Sequence, residues 1–387
     1  DAVVANAKKV NAPIITKGAT PVTAPTPIGA AKAIIMRDPD GYFVEAIQAT
    51  PAIIAATDAI PAPSFKSESK GNAVVFTAPG TTTVGGFLGS VVMVPGLNVN
   101  VIYEDDGLKP EQGLQKTEKL VQSDRVNFLT GYMMSHILLA SMKPAFDSQT
   151  FLISANAGPS QIAGEQCSPW FFSSSWQGDQ VPQAVGEYMN QKGVKSAFLI
   201  APNYAAGRDV IAGVKANYKG AIVGEEYTRW PDQLDFSAEL SKARAAKPDA
   251  IFAFYPGGAG IQFMTQYMQA GLKQQIPLYT AFIVDALSLP RLKEFALGIP
   301  GAQHWVADLP NEANKKFVAG FQEKYKRTPS FYAAQAYDAA GLIGSAVTAV
   351  KGDLSKKDEM RAEMRKANYA SVRGPYRYGN NHFPIQN

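Results

Sequence analysis

Five stretches of this chain combine the residue types that hold a small molecule without reacting with it. They are Thr130-Gly131-Tyr132-Met133-Met134-Ser135, Ser154-Ala155-Asn156-Ala157-Gly158-Pro159, Ala201-Pro202-Asn203-Tyr204-Ala205-Ala206-Gly207, Tyr255-Pro256-Gly257-Gly258-Ala259-Gly260 and Thr280-Ala281-Phe282-Ile283-Val284-Asp285. Each mixes small residues with a hydroxyl, an amide or an aromatic ring. Small residues let backbone N–H groups approach a ligand, and a helix that starts just after such a loop offers its N-terminus to an anion. Aromatic side chains supply apolar walls. Gly and Pro are also ordinary turn residues, so the weight rests on the five occurring together. Tyr132, Tyr255 and Phe282 read as core or as cleft residues. Asp285 can pair with a ligand amine or cap a helix ahead of Leu287 and Leu289.

Other chemistries have less to stand on. Ser135 and His136 suggest a hydrolase pair, but neighbouring side chains diverge and no partner acid is evident. Cys167 is the single cysteine, which excludes a disulfide framework and a cysteine zinc site; its thiol is expected to be packed or half-buried. The histidines His136, His304 and His382 are scattered. No catalytic group, metal or cofactor is expected. The net charge of +4, without a long Lys/Arg run, is too small for a nucleic-acid partner. No apolar run is long enough to span a membrane. The chain opens without Met and without a signal-peptide pattern, as a processed product or a fragment would.

The elements that position the five loops are short apolar runs alternating with helical patterns. Strands are expected over 99–103, 126–130, 151–154, 196–201, 250–254 and 276–280, and helices over 110–122, 136–146, 181–189, 209–218 and 260–270. This order predicts an α/β fold with parallel sheets covered on both faces. In such sheets ligands bind beyond the C-terminal ends of the strands, where the five loops fall. Tyr204 then stands at a sheet edge, its ring able to cover an apolar ligand and its hydroxyl to bond a polar group. Trp176 reads as core packing or as a cleft residue.

The first hundred residues read differently, giving an atypical N-terminal α+β segment. A helix is expected over 1–10, strands over 12–16 and 33–37, a turn at Asp38-Pro39-Asp40-Gly41 and a return strand over 42–48. Residues 50–70 read as a linker, 72–78 as a strand and 79–86 as a loop. The run Arg37-Asp38-Pro39-Asp40-Gly41-Tyr42-Phe43-Val44-Glu45 resembles a half-module of the vicinal oxygen chelate family, the glyoxalase and bleomycin-resistance proteins. That resemblance, over residues 1–62 and more loosely to 99, implies a metal-dependent lyase or resistance protein with Glu45 as a ligand. Residues 1–99 hold no histidine, so Glu45 reads instead as an exposed strand carboxylate and the segment as no independent active module. It is expected to pack on the first lobe, with 72–78 standing in for a missing strand.

Beyond residue 100 the loops above, with Val101-Ile102-Tyr103-Glu104-Asp105-Asp106-Gly107, Leu152-Ile153-Ser154 and Tyr378-Gly379-Asn380-Asn381-His382-Phe383-Pro384-Ile385-Gln386, resemble a periplasmic substrate-binding protein of an ABC transporter. The class is the branched-chain amino acid (Leu/Ile/Val-binding) one, in the subgroup associated with aromatic and other carboxylates. The resemblance implies a two-lobed periplasmic-binding-protein type I fold. One lobe would take 63–175 and 310–352, the other 176–309 and 353–387. It implies a non-enzymatic, periplasmic protein without membrane insertion, which delivers a small carboxylate, an amino acid or an aromatic acid, to ABC transporter permease subunits. The implied ligand contacts are Tyr132, Ser135, Asn156, Ala157 and Gly158 from one lobe, and Tyr204, Gly257, Phe282 and Asp285 from the other. His136 stands where small polar residues are common in the family, which turns the hydroxyl contact to Ser135. The family's opening strand and its Ser-Gly-Pro-type loop are absent, which implies an incomplete first lobe.

Overall fold

The computed structural model describes residues 99–386 in full and, before them, the backbone of seven strands only: Thr20–Pro21, Thr26–Ile28, Ala31–Arg37, Phe43–Gln48, Lys66–Lys70, Ala73–Thr77 and Thr82–Phe87. The expected helix over 1–10, strand over 12–16 and turn at 38–41 lie outside the described residues. The chain divides into two units, 1–65 and 66–387. In the first, Ala31–Arg37 and Phe43–Gln48 pair antiparallel from Arg37↔Phe43 to Lys32↔Gln48.

The second unit carries two parallel five-stranded sheets. The first is built from β1 (Thr82–Phe87), β2 (Val99–Glu104), β3 (Phe128–Thr130), β4 (Phe151–Ser154) and β5 (Phe171–Ser173), in the order β5-β4-β3-β1-β2. The second is built from β6 (Ser196–Pro202), β7 (Ala221–Thr228), β8 (Ala250–Ala253), β9 (Leu278–Ala281) and β10 (Gly301–Ala302), in the order β7-β6-β8-β9-β10. Strands this apolar need cover on both faces. Along β3, β4 and β5 the residues part with period two: Leu129, Leu152 and Phe171 join one core and Phe128, Phe151, Ile153 and Phe172 another. In the second sheet Leu199 and Phe252 face one core, Phe198 and Ile251 the other.

The helices used below are α1 (Pro110–Glu118), α2 (Ser135–Asp147), α3 (Gln180–Gln191), α4 (Ala205–Asn217), α5 (Gly257–Gln269), α6 (Glu312–Tyr325), α7 (Phe331–Ala349) and α8 (Lys357–Lys366). Most start or end within a few residues of expectation. Two start early: α4 at Ala205 rather than 209, and α5 at Gly257 rather than 260. Both begin within a glycine-containing run that reads as loop by composition.

Three expectations are corrected. The strand that completes the first sheet is β1, between β2 and β3, whereas Ala73–Thr77 pairs with Lys66–Lys70 in a separate hairpin. Gly85 and Gly86 made β1 read as a loop, but a glycine pair sits readily in a strand where another backbone comes close. Most of the C-terminal part packs on the first sheet rather than the second: Met360 and Met364, one turn apart on α8, join Phe128 and Phe151, and Phe383 joins Leu129 and Leu152, while Val372 stays in the second lobe's core. Conversely Phe317 of α6 packs with Trp305 in the second lobe's core. Helix α7 serves both lobes, with Phe331 and Ala334 in one core and Leu342, Ile343 and Val347 in the other.

The crossings between the lobes are tied by one buried pair. Arg373 donates to Asp338 of α7 (3.3 Å) and to the carbonyls of Ser174 and Ser175, while Ser371 and the Val372 N–H also donate to Asp338. Both charged side chains are at most 2% exposed. An ion pair so deep holds only when its remaining donors and acceptors are met, and here they are.

Candidate functional site

All five loops reach one cavity between the lobes. It is lined from the first lobe by Met133, Met134, Ser135, Asn156, Ala157 and Gly158, from the second by Tyr204, Ala206, Val210, Phe254, Pro256 and Phe282, and from the crossings by Trp176, Gly178, Phe331 and Tyr332. Six aromatic rings thus face it. No Asp, Glu, Lys, Arg or His lines it among the described residues.

Three helices begin at this cavity. The N-caps of α2, α4 and α5 are Met134, Tyr204 and Pro256, and none makes a side-chain capping bond. The first-turn N–H groups of a helix have no partner within it. Uncapped N-termini that converge on one cavity make a site for a negative charge carried by neutral donors. The start of α4 is set by Gly207, where a Cβ would fall 1.9 Å from the Pro202 carbonyl oxygen.

The aromatic wall is a connected group. Trp176 stacks on Phe282 at 4.4 Å between ring centroids and meets Phe331 edge-on at 6.0 Å; Phe282 also contacts Phe254 and Phe331. Phe282 holds a φ of +59°, a conformation that a bulky residue adopts only when its surroundings dictate it. His304 lies against the other side of this group, 4.7 Å from Trp176. Burial, with the nearby Arg373 charge, holds the His304 pKa well below its ordinary value, so the imidazole is neutral.

Asn156 and Gly158 hold the wall in place. Asn156 donates to the Met133 carbonyl (2.6 Å) and accepts from Gln335 of α7 (2.7 Å), so its amide is occupied. Gly158 accepts from the Gly178 N–H at 2.6 Å, and a Cβ on it would sit 1.9 Å from the Trp176 carbonyl oxygen. Across the cleft Asp209 of α4 accepts from the Ser160 N–H (2.9 Å) and hydroxyl (2.6 Å). His136 meets Tyr204 edge-on at 5.3 Å. These contacts clasp the lobes together.

Of the expected contacts, Ser135, Asn156, Ala157, Gly158, Tyr204 and Phe282 line the cavity. Tyr132 does not: its ring is fully buried and its hydroxyl bonds Thr117 of α1 at 2.7 Å. Gly257 stands beside the lining residue Pro256 and has no neighbour within 4 Å of a Cβ position. Asp285 is turned away from the cavity. It lines a separate groove with Gln303 and Arg327, and its Oδ1 accepts from the Leu287 and Ser288 N–H groups, the capping alternative. Burial raises its pKa. Cys167 is exposed rather than packed. Trp176, Phe254, Phe331 and Tyr332 were not among the expected contacts. Trp176 was visible as a cleft alternative, whereas Phe331-Tyr332 carried only the signal of a helix start after Pro329-Ser330.

Comparison with known proteins follows the same lines. The periplasmic binding protein family matches residues 85–387. A solute-binding protein of an ABC transporter from R. palustris, solved in complex with benzoate, superposes with a TM-score of 0.75 at 30% identity, over 79% of this chain and 91% of that one. One from Rhodopseudomonas palustris BisB5, in complex with 3,4-dihydroxy benzoic acid, gives 0.71 at 27% identity, over 77% and 88%. A branched-chain amino acid transporter substrate-binding protein from Streptococcus pneumoniae, in complex with isoleucine, gives 0.68 at 20% identity, over 78% and 93%, a likeness of fold. No curated protein matches the chain. The family match begins at residue 85, and the oxygen-chelate resemblance of residues 1–62 has no counterpart in it.

Proposed function

The chain belongs to the periplasmic binding protein family, and on that premise we propose that it captures a small aromatic carboxylate in the periplasm and presents it to the permease subunits of an ABC importer. The observation that carries this reading is the make-up of the cavity: six rings, three uncapped helix N-termini and, among the described residues, no ionised side chain. The rings suit a planar apolar body, and the helix starts suit a carboxylate. An amino acid would also bring an ammonium group. Burying that cation without an anionic partner is unfavourable by several kcal/mol. Asp209 and Asp285 of this lobe do not line the cavity: Asp209 accepts from Ser160, and Asp285 Oδ1 accepts within its own turn.

Ser135 and the first turn of α2 are the proposed carboxylate donors, and Trp176, Phe282 and Tyr204 the walls against the ring. Gly158 and Asn156 set the distance between them. The lobes part to admit the acid and then swing shut about the crossings.

A thermal-shift series over benzoate, phenylacetate, leucine and phenylalanine tests the reading. A ligand that binds only the folded protein raises the midpoint by mass action. The aromatic acids should raise it and leucine should not. A rise with leucine alone, or with none of the four, rejects the assignment.

A further inference from the structure

We propose that Tyr204 and Tyr332 together read a hydroxyl group on the ring of the bound acid, so that a hydroxylated aromatic carboxylate binds more tightly than the unsubstituted one. The inference rests on the aromatic-carboxylate reading of the cleft and adds to it the pair of residues that would set ligand choice.

The starting point is a contrast among the tyrosines. Tyr132, Tyr255 and Tyr267 lie in the cores, and each hydroxyl has a partner: Thr117 at 2.7 Å, Thr228 at 3.0 Å and the Ile276 carbonyl at 2.6 Å. That is the usual condition for a phenol removed from water. Tyr204 and Tyr332 line the cavity. Neither hydroxyl has a protein partner among the described residues, and both side chains face the cavity. Burial raises the pKa of both phenols, so both stay protonated.

The chemistry of the remaining free groups divides the labour. Backbone N–H groups at a helix start only donate, and a carboxylate only accepts, so the two match. A phenol both donates and accepts. Two phenols lining one cavity suit a group that does the same, and a ring hydroxyl is such a group. The side chains also approach from different parts of the fold. Tyr204 is the N-cap of α4 in the second lobe, and Tyr332 is the second residue of α7, which runs through both cores. Each is therefore positioned by rigid secondary structure. Tyr204 is braced further by Trp230, stacked at 5.3 Å, and by His136.

The experiment is a calorimetric titration of the protein, Tyr204→Phe and Tyr332→Phe with benzoate, 3-hydroxybenzoate and 4-hydroxybenzoate. Melting curves check that each variant is folded. The quantity read is the ratio of each hydroxybenzoate affinity to that for benzoate. One of the two hydroxylated acids should bind the unmodified protein about five- to tenfold tighter than benzoate, the gain of one to two net hydrogen bonds. In each Phe variant that ratio should fall towards one. Benzoate binding as tight as both hydroxylated acids overturns the inference and leaves the aromatic-carboxylate reading standing. Equal weakening of all three acids in the Phe variants, with the ratio kept, overturns it too, because the phenols would then hold the carboxylate. If none of the acids binds, the reading of the cleft falls and the inference with it.

Discussion

Gly158→Ala is a small change with a large expected effect, and its size follows from two distances. A Cβ at this position lies 1.9 Å from the Trp176 carbonyl oxygen and 3.0 Å from its carbon. Carbon and oxygen rest at about 3.3 Å or more, so the loop carrying Gly158 and the crossing carrying Trp176 must part by more than about 1 Å. The movement also breaks the 2.6 Å bond from the Gly178 N–H to the Gly158 carbonyl. Overpacking plus one lost hydrogen bond should cost about 2–4 kcal/mol of stability. The same displacement separates the Trp176 ring from the Asn156–Gly158 wall of the cavity. Affinity for an aromatic acid should fall at least about tenfold, the equivalent of ~1.4 kcal/mol of lost contact. Urea unfolding measures the first effect, with the slope watched for any change in the unfolded state. Calorimetric titration measures the second. A variant within about 0.5 kcal/mol of the parent in stability, the usual range for a neutral surface change, and within twofold in affinity would refute the reasoning.

The remaining predictions concern the frame around the cleft. Arg373→Ala should destabilise the protein by about 3–5 kcal/mol in urea unfolding, because Asp338 is left buried without its partner; a loss below about 1 kcal/mol would contradict the role given to this pair. Glu104 sits in a buried position that opposes its charge, yet the hydrogen bonds and charges of Lys116 and Lys119 outweigh this and hold its pKa below the ordinary value. A carboxylate depressed in the folded state stabilises above its unfolded pKa and loses that contribution as pH falls through the folded one. Glu104→Gln should therefore flatten the fall of stability below about pH 4.5, and an unaltered acid limb in a pH series of melts would count against the pairing. Cys167, being exposed, should react with a thiol reagent in the native protein as fast as in urea; protection until unfolding would contradict its placement.

The loops were readable because their composition is tied to their task. Small residues beside a hydroxyl or ring at the end of an apolar strand recur five times, and all five runs reach the cavity. What composition does not carry is the direction of a side chain. Tyr132 and Tyr204 stand in similar loops, but Tyr132 turns inward to Thr117, fifteen positions earlier in the chain, and Tyr204 turns to the cleft. The Asp285 alternatives were equal in sequence and separated only by the positions of Leu287 N and Ser288 N. Phe331 and Tyr332 reach the cavity from the start of a helix that crosses between lobes, where no strand-end rule points. The same helix explains the misplaced lobe boundary: α7 has apolar residues nearly all round because it is buried in both cores, and α8 and residues 378–383 follow its far end back to the first sheet. Gly85 and Gly86 hid a strand, since glycine is the commonest sign of a loop and a tolerated guest in a sheet with close neighbours.

Direct titration of the intact protein with benzoate, followed by calorimetry at two or more temperatures, tests the central claim most plainly. The account predicts saturable binding of one acid per chain, with a negative heat-capacity change as the rings and the ligand leave water, and no detectable heat of binding with leucine under the same conditions. Saturable binding of leucine with none of benzoate would contradict it.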